Sequence, residues 1–127
     1  MKDIKTYILE SKDNIVLNAF LAFNEDPDID QETDKTMKLF FKMMKDSGYD
    51  NCEFYNPQDG NDQTLDIYNG SSLIDSIAFM YAHNGSNFDE IQLWFKKGHD
   101  EEIMDILGAK EDGKSTDNED LWVIKNK

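Results

Sequence analysis

Residues 63–97 read QTLDIYNGSSLIDSIAFMYAHNGSNFDEIQLWFKK, which is three apolar segments separated by the pairs Asn69-Gly70 and Asn84-Gly85. Asn-Gly between apolar segments is the strongest local signal for a β-hairpin, because both central residues of a type I′ turn need a positive φ. The stretch therefore predicts a three-stranded antiparallel meander over about 63–68, 71–83 and 86–97. A helix over 72–83 is the alternative.

The segment before the meander predicts a hairpin and a helix. Short runs rich in Ile, Val, Tyr and Phe at Thr6–Glu10 and Ile15–Phe23 flank a polar turn, which is typical of two paired strands. A helix is a rival over Ile15–Phe23, since a continuous apolar run does not settle the period. The next helix begins after an N-cap at Asp28 or Asp30.

The helix that follows this N-cap has a clear pattern. With Asp28 as the cap, Gln31 falls at the third position of a capping box. Gly48 suits the residue just past the C-terminus. Its apolar residues repeat at helical spacing and are Met37, Phe40, Phe41 and Met44, with Leu39 and Met43 widening the stripe.

The remaining segments complete an α+β fold. Cys52–Tyr55 predicts a short strand, His99–Leu107 a second helix that ends at Gly108, Lys110–Glu119 a loop, and Leu121–Lys125 a final edge strand. No repeat or linker divides the chain, so residues 1–127 are expected to form a single domain of mainly antiparallel sheet packed by two helices.

Charge is the most unusual property of the sequence. The chain has 27 acidic residues against 13 lysines and no arginine, which gives a net charge of −14. A field of this sign repels nucleic acids and anionic lipids and accelerates encounters with basic proteins. Base and phosphate recognition also relies heavily on arginine. Direct binding to nucleic acid or membrane is therefore not expected, and the oligomeric state stays open.

Two observations bear on the cellular compartment of the protein. Cys52 is the single cysteine, so no internal disulfide forms, as in a reducing environment. The N-terminal residues carry acids and lack the apolar core of a signal peptide. The expected location is cytoplasmic.

The run NEDPDIDQETDK at residues 24–35 carries six carboxylates and resembles a calcium loop at first sight. With the loop starting at Asp26, the sixth position is Gln31 instead of glycine and the twelfth is Met37 instead of a bidentate glutamate. The run is better explained as the acidic entry to a helix. Cys52, His83 and His99 lack zinc spacing, and no phosphate loop or nucleophile motif is present. We expect no metal, no cofactor and no catalytic residue.

A Lys-free tract is the feature that points to a partner. Residues 46–95 contain nine acids and no lysine. If Tyr68 pairs with Ser71 and His83 with Ser86, strand alternation places Ile77, Phe79 and several acids on one aromatic face. The residues expected to bind a partner, on this face and in the loop before it, are Asp59, Asp62, Asp66, Tyr68, Asp75, Tyr81, Phe88, Glu90 and Trp94.

Aromatic anchors among carboxylates suit a basic protein, since the rings supply affinity and the acids supply steering. The leading hypothesis is a small inhibitor that neutralises a basic partner, most simply an immunity protein (antitoxin) against a nuclease-type toxin. Alternatives are a phage-type DNA mimic that inhibits a DNA-binding enzyme, as anti-restriction or anti-CRISPR proteins do, and a small enzyme or ligand binder that uses carboxylates with a divalent cation. In a further alternative a helix covers the aromatic residues and the acids lie at the rim of that contact. In the last, the protein is a housekeeping domain whose acidity serves solubility alone.

Overall fold

The computed structural model describes residues 12–57, 60, 62–98 and 101–126. Its helices are α1 (Lys12–Glu25), α2 (Lys35–Asp46) and α3 (Glu102–Leu107). Its strands are β1 (Asn51–Tyr55), β2 (Gln63–Asn69), β3 (Ser72–Asn84), β4 (Asn87–Lys96), β5 (Lys110–Ser115) and β6 (Glu119–Lys125). The strands form one antiparallel sheet in the order β1-β2-β3-β4-β6-β5, which confirms the α+β class.

The segment Ile15–Phe23 lies in α1, so the prediction of a strand there is wrong and the rival helix is correct. Its buried residues are Ile15, Val16, Ala19, Phe20 and Phe23. They recur at intervals of three to four residues and form a broad helical stripe. Thr6–Glu10, the other strand of the predicted hairpin, lies outside the described residues.

Helix α2 begins later than the sequence suggests. Its N-cap is Asp34, whose Oδ2 accepts a hydrogen bond from the Met37 amide at 3.1 Å. Asp30 instead accepts from the Glu32 amide at 3.0 Å and closes a local turn ahead of the helix. The predicted caps at Asp28 and Asp30 and the capping box are therefore wrong, whereas Gly48 does follow the helix with φ 101°.

The meander is confirmed, but its turns sit one residue further along. The turn residues are Gly70-Ser71 and Gly85-Ser86, so each glycine occupies the first central position, with φ 63° and 65°. No described residue other than glycine has a positive φ. A type I′ turn would need two such residues, whereas glycine at the first central position alone is the pattern of type II′.

The C-terminal third contains one more strand than expected. Helix α3 buries Ile103, Met104, Ile106 and Leu107 as predicted and ends at Gly108, which has φ 74°. The predicted helical residue His99 lies outside the described residues. Residues 110–115 form β5, not a loop, and β5 pairs with β6. The final strand is thus an interior strand of the sheet, and β5 forms the edge.

One face of the sheet, the covered face, packs against the helices. Aromatic side chains from helices and strands meet there, with the Phe20 ring 5.0 Å from Phe54 and 4.8 Å from Phe79 between centroids. Both contacts are edge-to-face, the arrangement that aromatic quadrupoles favour. Phe23, Phe40 and the apolar residues of α3 join the same cluster. The helices and the sheet therefore share one core.

The free edge of β1 is held by the side chain of Gln31. Its amide donates to the Phe54 carbonyl and its carbonyl accepts from the Phe54 amide, both at 2.8 Å. The side chain thus makes the two hydrogen bonds that a neighbouring strand would make to Phe54. This contact joins the acidic loop to the sheet and satisfies part of an edge that would otherwise be open to pairing.

We expect Gln31→Ala to lower the free energy of unfolding by about 1–2 kcal/mol, because the Phe54 amide and carbonyl lose partners at a partly buried site. Urea denaturation measures the change. Thr33→Ala is the matched control, since Thr33 is a nearby exposed and uncharged residue, and it should change the stability by less than about 0.5 kcal/mol. Equal losses in the two variants would contradict the role given to Gln31.

Candidate functional site

Two β-bulges decide which side chains reach each face. Between β2 and β3, Ile67 pairs with Asp75 but the next residue, Tyr68, pairs with Leu73, so Ile74 is an extra residue in β3. Between β3 and β4, Ala82 pairs with Glu90 but His83 pairs with Phe88, so Asp89 is an extra residue in β4. One extra residue in a strand moves the side chains beyond it to the opposite face of the sheet. The predicted single face of aromatic and acidic residues is therefore wrong in its membership.

Several residues expected on that face belong to the covered face instead. Ile77 and Phe79 are buried in the core. Tyr81 donates its hydroxyl to the Phe20 carbonyl and lies against Phe88, with ring centroids 6.3 Å apart. Burial raises the pKa of the Tyr81 hydroxyl. Tyr81 therefore connects α1 to the sheet, with Phe88 packed beside its ring. The alternative in which helices cover the aromatics is correct for these residues.

The remaining predicted residues occupy several positions. Asp75 lies opposite Ile67, on the covered side of β3 by register. Asp62 is exposed just before β2. Asp59 lies outside the described residues. Asp66, Tyr68, Glu90 and Trp94 do lie on one face, the one opposite the helices.

This second face is called the open face, because no described helix packs on it. Its accessible part is made by side chains of β1 to β4, and these are Asn51, Glu53, Tyr55, Thr64, Asp66, Tyr68, Leu73, Ser76, Ala78, Met80, Ala82, Gln92, Trp94 and Lys96. Tyr55 is 53% exposed and Met80 46%. Towards β6 the face closes, since Leu121 and Val123 share its register but are buried. The open face thus keeps an aromatic and acidic character with a different set of residues.

A signal for the bulges was present in the sequence. The strongly apolar alternations are Leu65 and Ile67 in β2, Ile77 and Phe79 in β3, and Ile91 and Leu93 in β4. Paired residues of two antiparallel strands lie on the same face, and the sum of their residue numbers is constant along the pairing. The apolar residues all have odd numbers, so they share a face only if this sum is even. Each hairpin turn instead sets an odd sum, as for Asn69 paired with Ser72. An extra residue in each hairpin resolves this conflict. Tyr55 and Glu53 were also missed, because β1 was not placed beside β2.

The acidic part of the open face centres on Asp66. Asp66 is only 8% exposed, and its Oδ1 accepts from the Thr64 hydroxyl at 2.8 Å and the Ser76 hydroxyl at 2.7 Å. Glu53 lies directly opposite on β1 and accepts a hydrogen bond from the Tyr68 hydroxyl at 3.2 Å. Partial burial, this hydrogen bond, and the charges of Glu53 and Asp66 raise the pKa of Tyr68. The Tyr68 hydroxyl therefore lies in a negative potential.

The other buried carboxylate of the open face has a different environment. Glu90 is 8% exposed and pairs across the strands with Lys125, which binds its Oε1. Gln92 donates to the other oxygen at 3.0 Å. The hydrogen bond from Lys125 holds the pKa of Glu90 below its ordinary value, although burial acts in the opposite direction. Glu90 is thus neutralised within the fold and has less to offer a partner than predicted.

A groove of about 910 Å³ lies on the other side of the β1 edge, between α2 and the acidic loop. Its half-buried apolar lining includes Ile29, Phe41, Tyr49 and Cys52, and both lysines and acids contribute to the lining. Burial and the charge of Asp50 raise the pKa of the Cys52 thiol to about 12. A thiol that stays protonated at neutral pH is a poor nucleophile.

The acidic run at 24–35 has a structural role where it can be followed. Asp26, Asp30 and Asp34 each accept a backbone amide hydrogen bond within the loop or at the start of α2. In the part of the chain that the structure describes, no three His, Cys, Asp or Glu side chains are grouped as metal ligands would be. None of the described helices has the length and apolar character needed to cross a bilayer.

Comparison with protein-family models, curated proteins and solved structures found no match. The open face is therefore the feature from which a function can be inferred. That face combines half-exposed rings, a buried carboxylate and a pair of opposed acids. Residues 46–95, which form most of it, contain no lysine, and Lys96 follows at the end of β4.

We expect Lys125→Met to destabilise the protein at neutral pH, because it removes the cation paired with Glu90. The pKa of Glu90 is lowered from 4.5, so the stability it contributes is full above pH 4.5 and is lost as pH falls through its lower folded pKa. The pKa of Lys125 is raised from 10.5, so its contribution is full below pH 10.5 and is lost as pH rises through its higher folded pKa.

Urea midpoints measured from about pH 3 to 11 test this expectation, because this range extends beyond both ordinary pKa values. The difference between wild type and Lys125→Met should be greatest between the two ordinary values and should shrink in acid. Lys45→Met, at an exposed position on α2, is the control and should show a smaller, flatter difference. A pH-independent effect of Lys125→Met would count against the ion pair.

Proposed function

We propose that this protein is a small inhibitor that binds a basic protein through the open face, and that the partner is a nuclease-type toxin. The protein would act as its immunity protein. The observation that carries the proposal is the composition of the open face: Tyr55, Tyr68 and Trp94 share it with Glu53 and Asp66, and the tract 46–95 contains no lysine.

The first support is electrostatic. A nuclease must bind phosphates, so the surface around its active site is cationic. A net charge of −14 accelerates the encounter with such a surface, and the effect falls as salt is added. A protein of this charge does not compete for the nucleic acid itself. Charge thus supplies the rate and the direction of approach.

The second support is the aromatic content of the same face. Tyr55, Thr64, Ala78 and Trp94 form one row across β1 to β4. At about 4.8 Å between strands, the outer two lie roughly 14 Å apart. Tyrosine and tryptophan at the centre of an interface are the residues that most often dominate binding energy. The small side chains between them leave a shallow trough for a partner loop.

Affinity capture from a native lysate of the source cells tests the proposal. The immobilised protein should retain a cationic nuclease that a salt gradient releases. The purified nuclease should then lose its activity when the free protein is added in equimolar amount. Retention of neutral or acidic proteins only, or a captured nuclease that stays active under excess protein, would refute the proposal.

Variants of the open face extend this test to binding kinetics with the captured nuclease. Trp94→Ala should raise the dissociation rate about tenfold or more, since it removes a central ring. Glu53→Gln should mainly slow association. Asp117→Asn is its matched control, because it removes the same charge at an exposed position between β5 and β6, far along the sheet from β1. If Glu53→Gln and Asp117→Asn act equally, and Trp94→Ala does nothing, binding occurs elsewhere.

A further inference from the structure

Strand β1 is an edge of the sheet, and only part of its outer side is hydrogen-bonded. Gln31 binds both the amide and the carbonyl of Phe54 at 2.8 Å, so these groups point away from β2. Outward groups recur at every second residue of an antiparallel edge strand, so the amide and carbonyl of Cys52 point the same way. Among the described residues no side chain or loop binds Cys52 as Gln31 binds Phe54. The edge therefore has one open position beside a filled one.

The groove between α2 and the acidic loop runs along this open position. Cys52 lines it, together with Phe41 of α2 and with Ile29 and Tyr49, and all four are half-buried. Its volume of about 910 Å³ lies at the upper end of the range for ligand clefts. An unpaired strand edge beside an apolar groove is the arrangement by which proteins take up an extended segment, through backbone hydrogen bonds and pockets for alternate side chains. The edge and the groove together can hold an added strand.

The two sides of this edge differ in their chemistry. Residues paired across antiparallel strands share a face, so a residue opposite Cys52 would direct its side chain towards α2 and the apolar lining. The helix also contributes lysines to this side, which are Lys38, Lys42 and Lys45. The residues before and after it would lie on the open-face side, where β1 presents Glu53. An added strand is therefore expected to alternate, with uncharged apolar residues towards α2 and cations towards the open face.

We propose that the β1 edge at Cys52 receives an extended segment of the basic partner, in which apolar residues alternate with lysine or arginine. The inference rests on the proposed function, and it states how the partner is held beside the open face. One apolar residue exchanges two hydrogen bonds with Cys52, as Gln31 does with Phe54, and its side chain enters the groove. The cations on either side of it lie at the margin of the open face.

Charge decides against a second copy of this chain as the occupant. Each copy has a net charge of −14, and its own β1 would bring Asp50 and Glu53 to the same edge. Like charges opposed across strands are destabilising, and proteins of high equal charge repel each other. A basic segment meets this edge with the opposite charge.

A short peptide tests the edge without the partner. The probe is acetyl-Lys-Val-Lys-Val-Lys-amide, titrated into the full chain with amide NMR shifts and hydrogen exchange as readouts. Saturable shifts should centre on residues 51–53, and exchange of the Cys52 amide should slow because its proton becomes hydrogen-bonded. The same peptide with N-methylated valines keeps its charge but loses the donors that face the edge, so it should bind about fivefold or more weakly. Acetyl-Glu-Val-Glu-Val-Glu-amide should not bind.

The variant Gln31→Ala should bind the peptide more tightly than the wild type. Removing this side chain opens the Phe54 position, so the second valine of the peptide can bind there and the affinity should rise about threefold or more. Thr33→Ala is the matched control and should leave the affinity unchanged. A variant that only loosened the fold would lose affinity instead.

The proposal is overturned by shifts at β5, the other edge of the sheet, that equal those at β1. Equal binding of the N-methylated peptide, no saturable binding at millimolar peptide, or no gain in Gln31→Ala would also overturn it. Failure here is distinguishable from failure of the proposed function. If a captured nuclease is inhibited while the peptide ignores β1, only the role of the edge is wrong. If the peptide binds β1 but no cationic nuclease is captured, only the identity of the partner is wrong.

Discussion

The packing of helices against a single face of the sheet is the constraint on which the rest of the structure depends. Phe54 on β1 and Phe79 on β3 meet Phe20 of α1 edge to face, so the first helix and two strands are fixed by one aromatic contact group. Each strand must then direct its strongly apolar residues to this side. The residues that alternate with these apolar residues along each strand then lie on the open face, and they include Asp66 and Trp94.

The same constraint explains how much the sequence could predict. The meander follows from local signals, since glycine at two turns and apolar strands are both visible over a few residues. The bulges at Ile74 and Asp89 are not local features, because no glycine or proline marks them. The bulges become necessary only because the apolar residues of β2, β3 and β4 must all lie on the same face of the sheet. A face assignment that trusts each hairpin turn alone therefore sends Tyr81 to the wrong side.

The features of α2 that depend on local sequence could be predicted, whereas those that depend on particular contacts could not. The apolar positions and the closing glycine of α2 are local, and they were found. The start of α2 depends on which of several aspartates reaches a free amide, and only the position of Asp34 relative to Met37 resolves this. Gln31 was assigned to a capping box, yet it binds Phe54, 23 residues away. Contacts between distant residues of this kind have no signature in a local pattern.

The acidity of the protein is not a uniform property of its surface. Carboxylates at 26–34 close turns and cap α2, and Glu90 is balanced by Lys125, so these acids have a structural use. Glu53 and Asp66 are opposed across the strands, and the hydroxyls of Thr64 and Ser76, not a cation, compensate the buried Asp66. Natural proteins need only exceed a stability threshold, and departures from optimal stability concentrate where function requires them. The opposed acids beside exposed aromatic rings are therefore the part of the acidic surface on which the proposed binding function is based.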